Sequence, residues 1–384
     1  MNIVHIANFY GPKSGGIRTT LHHLGKEYSK NGHSFTYIVP GISLFSEVTP
    51  FGLRITVPSL PLPFSGGYRI IKSNKQIKKY LTLLKPDRIE ISDRFTLLSI
   101  GKWAKNRKIP SLVFSHETLE GLSGALIPRL PFRSKLVNWH NTRLASSFDN
   151  VVATTDFAAT EFIKLDTKNL AKIALGVDLE NFHPLKRSTE IHNKYGKGSK
   201  YLIVHCGRLS PEKNPELSLA ALKELVSRNV DARLVFIGMG PQWKKLKTLA
   251  EGYPVDFLGF IANPELIAEI LASADVTLAP GPIETFCLAA LESISAGTPV
   301  VASNTSAVGE VLNASGVEPA GFVARNSAVD FADAILRVLS HEQMRIFART
   351  QAENFSWETT VKKILELQSD SKFGDFEKNE RSIA

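Results

Sequence analysis

The chain has 384 residues, of which 43% are hydrophobic and 22% are charged, and it contains two cysteines. This composition is typical of a soluble globular protein of two or three domains and excludes wholesale disorder. No apolar run approaches the roughly 18 residues of a membrane-spanning helix, and residues 1–6 lack the basic and long apolar regions of a signal peptide. Cys206 and Cys287 cannot form a disulfide framework, and they fit a reducing cytosol.

The net charge of +9 is distributed unevenly along the chain. Residues 1–186 carry a net charge of +12, whereas residues 187–384 carry −3. We therefore expect an anionic partner for the N-terminal half, such as a membrane surface, a nucleic acid or a phosphorylated substrate.

Predicted strands and helices alternate in the first half of the chain. Residues 2–7 form a short apolar run typical of a buried strand, and apolar residues at helical spacing follow between positions 17 and 28. A second strand is predicted at residues 34–39. This β-loop-α-β order is typical of a parallel sheet. Further strands are predicted at residues 88–91, 111–115 and 150–153.

The alternation breaks near residue 185 and then restarts. The polar residues 186–200 indicate an interdomain linker. We expect a helix over residues 356–368 and a disordered tail over residues 371–384. The strands predicted after the linker are residues 201–205, 233–237, 255–258, 275–279 and 299–302. The helices predicted between them are residues 216–228 and 242–250.

Several nucleotide-binding motifs are incomplete in this sequence. Residues 11–14 lack the order of a phosphate-binding loop, so ATPase chemistry of that kind is excluded. Gly238-Met239-Gly240 follows a predicted strand, but Trp243 stands where a dinucleotide fingerprint needs a third glycine. No Asp-x-Asp pair occurs.

Basic and apolar residues interleave between positions 69 and 85. This pattern predicts a basic amphipathic helix, which is either a solvated surface over a core face or a site that docks on an anionic bilayer. Residues 60–64 and 131–135 add apolar and basic side chains nearby in the sequence. Nucleic acid is disfavoured as a partner because no recognition module accompanies the charge. The basic residues are Arg69, Lys72, Lys75, Lys78, Lys79 and Lys85.

The segment Gly281–Glu292 carries the clearest chemical signal. It follows a predicted strand and opens a helix, at the sheet edge where ligands of parallel sheets bind. Thr285, Phe286, Cys287 and Leu288 would present free N–H groups to a phosphate. Glu284 precedes the helix, and Glu292 is expected about two turns further on. Two such acceptors suit the hydroxyl groups at the two ends of a sugar nucleotide.

Two further segments supply groups that bind anions. Arg208 and Lys213 lie in the loop Gly207–Asn214, which ends the first strand of the second unit, and both can reach an anion in the cleft. Gly15 and Gly16, in the first loop of the first unit, let the backbone approach a phosphate closely. Because the anion-binding groups belong to both units, we expect the ligand between them.

Together, these motifs make the chain resemble glycosyltransferase family 4, whose members are retaining nucleotide-sugar enzymes of the GT-B fold. Glu284 and Glu292 match the family's E-x7-E motif, residues 207–213 match its diphosphate loop, and Gly15-Gly16 match its N-terminal glycine loop. Residues 92–94, 114–119 and 280–286 further resemble GDP-mannose-dependent α-mannosyltransferases that build phosphatidylinositol mannosides or related glycolipids.

The resemblance implies an α/β fold with two Rossmann-like domains facing across a deep cleft. The N-terminal domain, residues 1–185, would bind the acceptor and the membrane, and residues 186–200 would form the linker. Residues 201–355 would bind the donor, and a helix at 356–370 would return to the first domain.

The resemblance also implies a role for each site residue. Glu284 would hold the hydroxyls of the donor sugar and Glu292 those of the ribose. Arg208 and Lys213 would neutralise the diphosphate, so that no metal or other cofactor is needed. His116 would lie beside the transferred sugar. The remaining donor-binding residues would be Gly15, Gly16, Thr285, Phe286, Cys287 and Leu288. The family usually has glycine where Cys287 stands.

The expected activity is therefore transfer of mannose from GDP-mannose to a lipid-linked or similar acceptor, by a cytoplasmic enzyme peripheral at the inner face of the plasma membrane. Three alternatives stay open. They are a UDP-sugar transferase with a soluble or polysaccharide acceptor, a nucleotide-sugar epimerase of similar fold, and a catalytically silent sugar-nucleotide-binding scaffold.

Overall fold

The computed structural model describes residues 1–11, 15–62, 67–126 and 132–367. They form two α/β domains, each built on a central, largely parallel sheet with helices packed on it. This is the α/β architecture expected from the alternation of strands and helices.

The first sheet runs in the order β3-β4-β2-β1-β6-β7-β8-β9. Neighbouring strands are parallel except that β3 and β5 pair antiparallel with β4. Its strands are β1 Asn2–Ala7, β2 Ser34–Gly41, β3 Phe45–Thr49, β4 Gly52–Pro61, β5 Arg69–Ile71, β6 Arg88–Ser92, β7 Ser111–Ser115, β8 Asn150–Ala153 and β9 Leu170–Lys172. Its helices are α1 Gly16–Lys30, α2 Asn74–Leu84, α3 Leu98–Lys105, α4 Leu119–Leu126, α5 Arg133–Ser147 and α6 Asp156–Ile163.

The second sheet is parallel throughout and runs in the order β12-β11-β10-β13-β14-β15. Its strands are β10 Tyr201–Cys206, β11 Ala232–Ile237, β12 Val255–Gly259, β13 Val276–Ala279, β14 Val300–Ser303 and β15 Gly321–Ala324. The helices of this half are α7 Thr189–Gly196, α8 Pro215–Ser227, α9 Trp243–Leu249, α10 Pro264–Ser273, α11 Leu288–Ser295, α12 Val308–Val311, α13 Ala328–Leu339 and α14 Met344–Ala352. A last helix, α15, spans residues 357–367.

The strands predicted from apolar runs are present, with ends that differ by one or two residues. They are largely buried on both faces, as parallel strands covered by helices require, except the edge strand β12, whose residues are all partly exposed. Strands β3, β4 and β5 were not predicted. Proline and glycine punctuate residues 50–67, and this composition resembles a loop rather than an edge of a sheet.

The polar stretch predicted as a linker contains helix α7. Ser188 caps it, since its hydroxyl accepts from the N–H of Ile191 at 3.3 Å. Ile191 and Tyr195, four residues apart, pack against the core, and His192 Nε2 lies 3.0 Å from Asp275 Oδ2. Residues 189–196 therefore pack on the second domain.

Helix α15 returns to the first domain. The indole of Trp357 stacks on the imidazole of His23, with ring centroids 5.0 Å apart. Arg88, which is buried in β6, donates from Nη1 to the carbonyl oxygen of Ile364 at 3.0 Å. Residues 368–370 of the predicted helix and the predicted tail, residues 371–384, lie outside the described residues.

The basic amphipathic helix predicted near residues 69–85 is wrong in its extent, and of its two interpretations the solvated surface over a core face is confirmed. Residues Arg69–Ile71 are strand β5, and the helix, α2, begins only at Asn74. Ile77 and Leu81 are fully buried in the core of the first domain. The apolar face of α2 is therefore already occupied and is not available to a bilayer.

Candidate active site

An ion pair between Lys213 and Glu284 lies at the centre of the candidate site. Lys213 ends a short 3-10 helix, Pro211–Lys213, after β10, and Glu284 lies in the loop after β13. Strands β10 and β13 are neighbours at the point where the strand order reverses, so their loops open a crevice at one sheet edge. Lys213 Nζ lies 2.5 Å from Glu284 Oε1. The structure therefore brings the predicted cation and the predicted carboxylate together.

The Lys213 ammonium keeps its charge at neutral pH. Burial works against the charged form, but the adjacent carboxylate of Glu284 outweighs burial and raises the pKa of Lys213. The side chain is still 36% exposed, whereas that of Glu284 is 11% exposed. A fixed cation that solvent can reach suits a phosphate ligand.

Arg208 lies beside the first domain. Its Cζ lies 4.8 Å from the ring centroid of Tyr68, which precedes β5. This is a cation–π contact between the two domains. Sequence reasoning missed Tyr68, since nothing local distinguishes it from any other loop tyrosine.

Gly238 and Gly240 support the loop that carries Arg208. A Cβ atom on Gly238 would lie 1.9 Å from the carbonyl oxygen of Gly207, and one on Gly240 would lie 2.2 Å from that of Leu209. The loop after β11 can lie against residues 207–209 only because both positions lack a side chain. The incomplete dinucleotide motif thus has a packing role.

Gly15 and Gly16 lie at the start of α1, which has no side-chain cap. Both are exposed, and among the described residues no atom lies within 4 Å of an ideal Cβ at either position. Residues 12–14, just before them, lie outside the described residues. The start of a helix favours an anion, because its backbone N–H groups point toward that end.

His116 follows β7 and has a neutral imidazole at pH 7. Burial lowers the pKa of His116 to about 4. Its Nε2 lies 2.8 Å from the Ser92 hydroxyl, and its ring stacks on Phe114 with centroids 5.6 Å apart.

Thr285 connects the loop after β13 to the first domain. Its hydroxyl donates to the carbonyl oxygen of His116. Its own carbonyl oxygen accepts from the hydroxyls of Thr154 at 3.2 Å and Thr155 at 2.8 Å. Both threonines follow β8, so two strand ends of the first domain hold the loop that follows β13. Sequence reasoning did not find these two threonines.

The three residues after Thr285 differ in what they offer a ligand. Phe286 is 4% exposed and packs edge-on against Phe355, so its side chain is part of the core. Cys287 has a backbone φ of 70° and ψ of 80° at the start of α11. Burial raises the pKa of its thiol to about 12, so it is not a thiolate nucleophile. Leu288 begins the helix and is partly buried.

Glu292 lies one turn into α11, not two as predicted, because the helix begins at Leu288 rather than beside Glu284. Burial raises its pKa to about 8. The group is therefore mainly a neutral acid at pH 7, able to donate as well as accept a hydrogen bond.

The Ser92-Asp93-Arg94 motif is buried in the first domain. Arg94 pairs with Glu161, with Nη2 3.2 Å from Oε2. Asp93 Oδ1 accepts from the backbone N–H groups of Phe95 at 2.6 Å and Thr96 at 2.7 Å. Asp93 and Arg94 thus shape the loop after β6.

Glu310 makes a second contact between the domains, and the sequence assigned it no function. Its two carboxylate oxygens accept from the backbone N–H groups of Asp156 and Phe157, each at 2.7 Å. These groups open α6, so a carboxylate of the second domain stabilises a helix N-terminus of the first.

Within the part of the chain that the structure describes, no group of three or more His, Cys, Asp or Glu side chains could hold a metal ion. No helix in the described ranges has the length and apolar character needed to cross a membrane.

Comparisons with known families match both halves of the chain. The profile described as "Glycosyltransferase Family 4" matches residues 14–181, and that described as "Glycosyl transferases group 1" matches residues 187–355. Among solved structures, sucrose-phosphate synthase from Thermosynechococcus elongatus aligns with a TM-score of 0.78 over 97% of this chain and 99% of its own. At 18% identity, that likeness shows the shared fold.

Two characterised relatives align over nearly the whole chain. The chain is 42% identical over 368 residues to the GDP-mannose-dependent alpha-(1-6)-phosphatidylinositol dimannoside mannosyltransferase of Mycobacterium tuberculosis, covering 95% of each protein. It is 26% identical over 382 residues to the GDP-mannose-dependent alpha-mannosyltransferase of Corynebacterium glutamicum, covering 96% of this chain and 89% of that protein. With both halves matched and an identity of 42% over almost its full length, the chain belongs to glycosyltransferase family 4.

Proposed function

We propose that this glycosyltransferase moves mannose from GDP-mannose to a phosphatidylinositol-type glycolipid, with retention of the anomeric configuration. The observation that carries the proposal is the 42% identity, over 95% of both chains, to a mannosyltransferase of that donor and acceptor. The geometry of the second domain agrees with a sugar nucleotide as the donor.

The donor diphosphate would lie between Arg208, Lys213 and the start of α1 at Gly16. Arg208 and Lys213 bring two positive charges to one sheet edge, and α1 offers backbone N–H groups from the opposite domain. These groups would neutralise the charge that develops as the diphosphate departs, which is the task a divalent metal performs in other enzymes. No metal or other cofactor enters the proposed reaction.

The sugar and the ribose would lie on either side of the diphosphate. Glu284 would release Lys213 to the phosphate and accept hydrogen bonds from sugar hydroxyls. Glu292 would bind the ribose hydroxyls, and His116 would contact the transferred sugar. The backbone of residues 285–288 would complete the donor site.

The transfer step breaks the bond between mannose C1 and the β-phosphate oxygen and forms a bond from C1 to the acceptor oxygen. The acceptor hydroxyl gives its proton to the departing phosphate on the same face of the sugar. Attack and departure on one face retain the anomeric configuration. Lys213 and Arg208 stabilise the GDP that leaves.

We place the enzyme in the cytoplasm, peripheral at the inner face of the plasma membrane. The free thiols of Cys206 and Cys287 suit a reducing compartment. The net charge of +12 on residues 1–186 favours an anionic membrane surface.

The bilayer would contact one face of α5 rather than α2. Phe132, Leu136 and Trp139 are 74%, 51% and 59% exposed, and they recur at the spacing of a single helix face. Lys135 and Arg143 lie over the rings of Phe132 and Trp139, at 5.6 Å and 5.3 Å. Aromatic rings beside cations are typical of surfaces that insert at the headgroup level.

Calorimetric titration with GDP, UDP and ADP, without metal, tests the choice of donor. We expect GDP to bind most tightly, and GDP-mannose to label phosphatidylinositol dimannoside in vesicles, with the product anomer assigned by NMR. UDP preference would replace the donor and favour the soluble-acceptor alternative. Donor turnover without acceptor to an isomeric sugar nucleotide would indicate an epimerase, and binding of no nucleotide would indicate a scaffold.

Vesicle flotation tests the α5 face. Wild-type protein should float with vesicles rich in phosphatidylinositol and stay behind with neutral phosphatidylcholine vesicles, and salt should weaken the binding. Trp139→Glu and Leu136→Glu should abolish flotation. Ile346→Glu, at a position 65% exposed in the second domain, is the matched control and should still float. Flotation of the two α5 variants at the wild-type level would refute this docking surface.

A further inference from the structure

A chain of hydrogen bonds runs from the buried interior of the first sheet to His116. Glu90 Oε2 lies 3.0 Å from His5 Nδ1, His5 Nε2 lies 2.9 Å from the Ser92 hydroxyl, and that hydroxyl lies 2.8 Å from His116 Nε2. His5 and Glu90 face each other on the neighbouring strands β1 and β6, with side chains that are 0% exposed. The two links at His5 are buried, and the link between Ser92 and His116 is part-buried.

The far end of the chain is a carboxylate that only accepts hydrogen bonds. Glu90 Oε1 accepts from the Tyr28 hydroxyl at 2.7 Å and lies 3.1 Å from Arg88 Nε. Burial would raise the pKa of Glu90, but Arg88 and the hydrogen bonds from His5 and Tyr28 outweigh it and lower that pKa. His5 must therefore carry a proton on Nδ1.

The direction of every later bond follows from that one proton. Arg88 already balances the charge of Glu90, and a second buried cation beside them would have no counter-charge. A single ring proton on Nδ1 leaves the Nε2 lone pair of His5 facing Ser92. The Ser92 hydroxyl donates its single proton to that lone pair. Its oxygen then accepts from His116, which carries its proton on Nε2.

Packing keeps both imidazoles in the plane that these bonds require. The rings of His5 and His116 each stack on Phe114, with centroids 5.6 Å away and interplanar angles of 17° and 14°. Phe114 is itself 1% exposed, so neither ring can rotate without disturbing the core.

We infer that Glu90, His5 and Ser92 are positioning residues that fix the tautomer of His116, leaving its Nδ1 as a hydrogen-bond acceptor for a hydroxyl of the transferred sugar. The role toward the sugar rests on the proposed function, whereas the tautomer is a property of the protein alone. The closing experiment keeps the two apart.

Glu90→Gln should invert the whole chain without touching His116. The amide oxygen would take the Oε1 position, where Tyr28 and Arg88 donate, so the amide NH₂ would face His5 Nδ1. His5 would then carry its proton on Nε2 and donate to Ser92, and Ser92 would donate to His116. His116 would hold its proton on Nδ1 instead of Nε2.

Nitrogen NMR of selectively ¹⁵N-histidine-labelled protein measures this directly, with the His116 signals assigned by their loss in His116→Gln. Wild-type protein should show the proton on Nε2, and Glu90→Gln should show it on Nδ1. If Arg88 without its carboxylate prevents folding, Ser92→Ala serves instead, and it should give a mixture of both His116 tautomers.

Kinetics with GDP-mannose then tests what the tautomer does. Ser92→Ala should lower kcat roughly tenfold, as loss of a group that orients a ligand-contacting histidine typically does. GDP affinity should stay within about twofold, because Ser92 is not one of the groups assigned to the diphosphate. Ser111→Ala, which removes another buried hydroxyl of the same sheet, is the control and should leave kcat and the His116 tautomer unchanged.

The outcomes separate the two proposals. A wild-type His116 protonated on Nδ1, or a Ser92→Ala variant with the wild-type tautomer and kcat, would overturn the positioning role. A wild-type enzyme with the expected tautomer but no turnover of GDP-mannose would overturn the proposed function and the role toward its sugar, while the internal chain would stand.

Discussion

The hydroxyl of Thr285 donates a hydrogen bond to the carbonyl oxygen of His116. The loop after β13 in the second domain is thereby joined to the end of β7 in the first domain, where His116 lies. Glu310 adds a second fastening at α6, and Tyr68 lies against Arg208 at a third place. These contacts join the two domains at three places, and each of them can be tested.

Removing the carboxylate of Glu310 should weaken the contact between the second domain and the start of α6 in the first. In Glu310→Ala, the N–H groups of Asp156 and Phe157 lose their acceptors, and we expect both amides to exchange with deuterium at least tenfold faster, since one such bond contributes about 1.5–3 kcal/mol. The control is Glu353→Ala. In the wild-type protein, the Glu353 carboxylate pairs with Arg349 at 2.9 Å. Wild-type exchange rates in Glu310→Ala would show that the contact does not hold the domains together.

Lys213→Ala and Arg208→Ala should each weaken GDP binding. Each substitution removes a charge-assisted bond to phosphate, so we expect the Kd for GDP to rise about tenfold to a hundredfold. Calorimetry at constant ionic strength measures it. Lys245→Ala removes an exposed lysine that pairs with Glu216 at 2.7 Å, and its Kd should stay at the wild-type value. Unchanged affinity in both site variants would refute their assignment to the diphosphate.

Glu292 should make stability depend on pH. Its pKa is about 8 in the folded protein against 4.5 for an ordinary glutamate, so the folded state binds the extra proton. Stability from this group is full below pH 4.5 and is lost as the pH rises toward 8, at a slope of up to about 1.4 kcal/mol per pH unit. Glu292→Gln should show a flatter dependence of its urea midpoint between pH 5 and 8. Parallel curves for the two proteins would contradict the raised pKa.

Cys287 should tolerate glycine better than a β-branched residue. Its φ of 70° lies in the left-handed region, which costs an ordinary side chain roughly 1–2 kcal/mol and a β-branched one more. We expect Cys287→Val to unfold at a lower urea concentration than Cys287→Gly and to bind GDP more weakly. Equal midpoints for the two variants would mean that this backbone is not strained.

The parallel strands, and the loops that meet at the candidate site, could be predicted because their signals are local. Short apolar runs identify buried strands. Glu284 and Glu292 are separated by only a few residues, and Arg208 and Lys213 occur together in one loop. Each loop follows a strand, so the shared edge of the sheet follows from topology alone.

What could not be predicted depends on partners far away in the sequence. Strand β6 reads Arg88-Ile-Glu90-Ile-Ser92, which looks like a strand with one face in water. Its polar face is buried because Glu90 packs against His5 and Arg88 packs against α15. His5 lies 85 residues before Glu90 in the sequence. The contacts of Thr285 and Glu310 likewise join segments more than 100 residues apart. Polar residues at alternate positions of a strand in a parallel sheet are nevertheless a usable signal, because such sheets are covered on both faces.

The chain crosses between the domains twice, and the two crossings are joined. Val177, on the outward crossing, donates its N–H to the carbonyl oxygen of Phe355 on the return at 3.0 Å, and it forms a parallel bridge with Ser356. Gly176 allows the close approach, since a Cβ there would lie 2.3 Å from the nitrogen of Trp357. Because the two crossings adjoin, they form a single hinge between the domains. The domains can rotate about this hinge, but they resist sliding and twisting. If the domains rotate apart to release GDP and bind GDP-mannose, Arg208 and Tyr68 should separate by rotation about this one axis. The reverse rotation should restore the same hydrogen bond between Thr285 and His116.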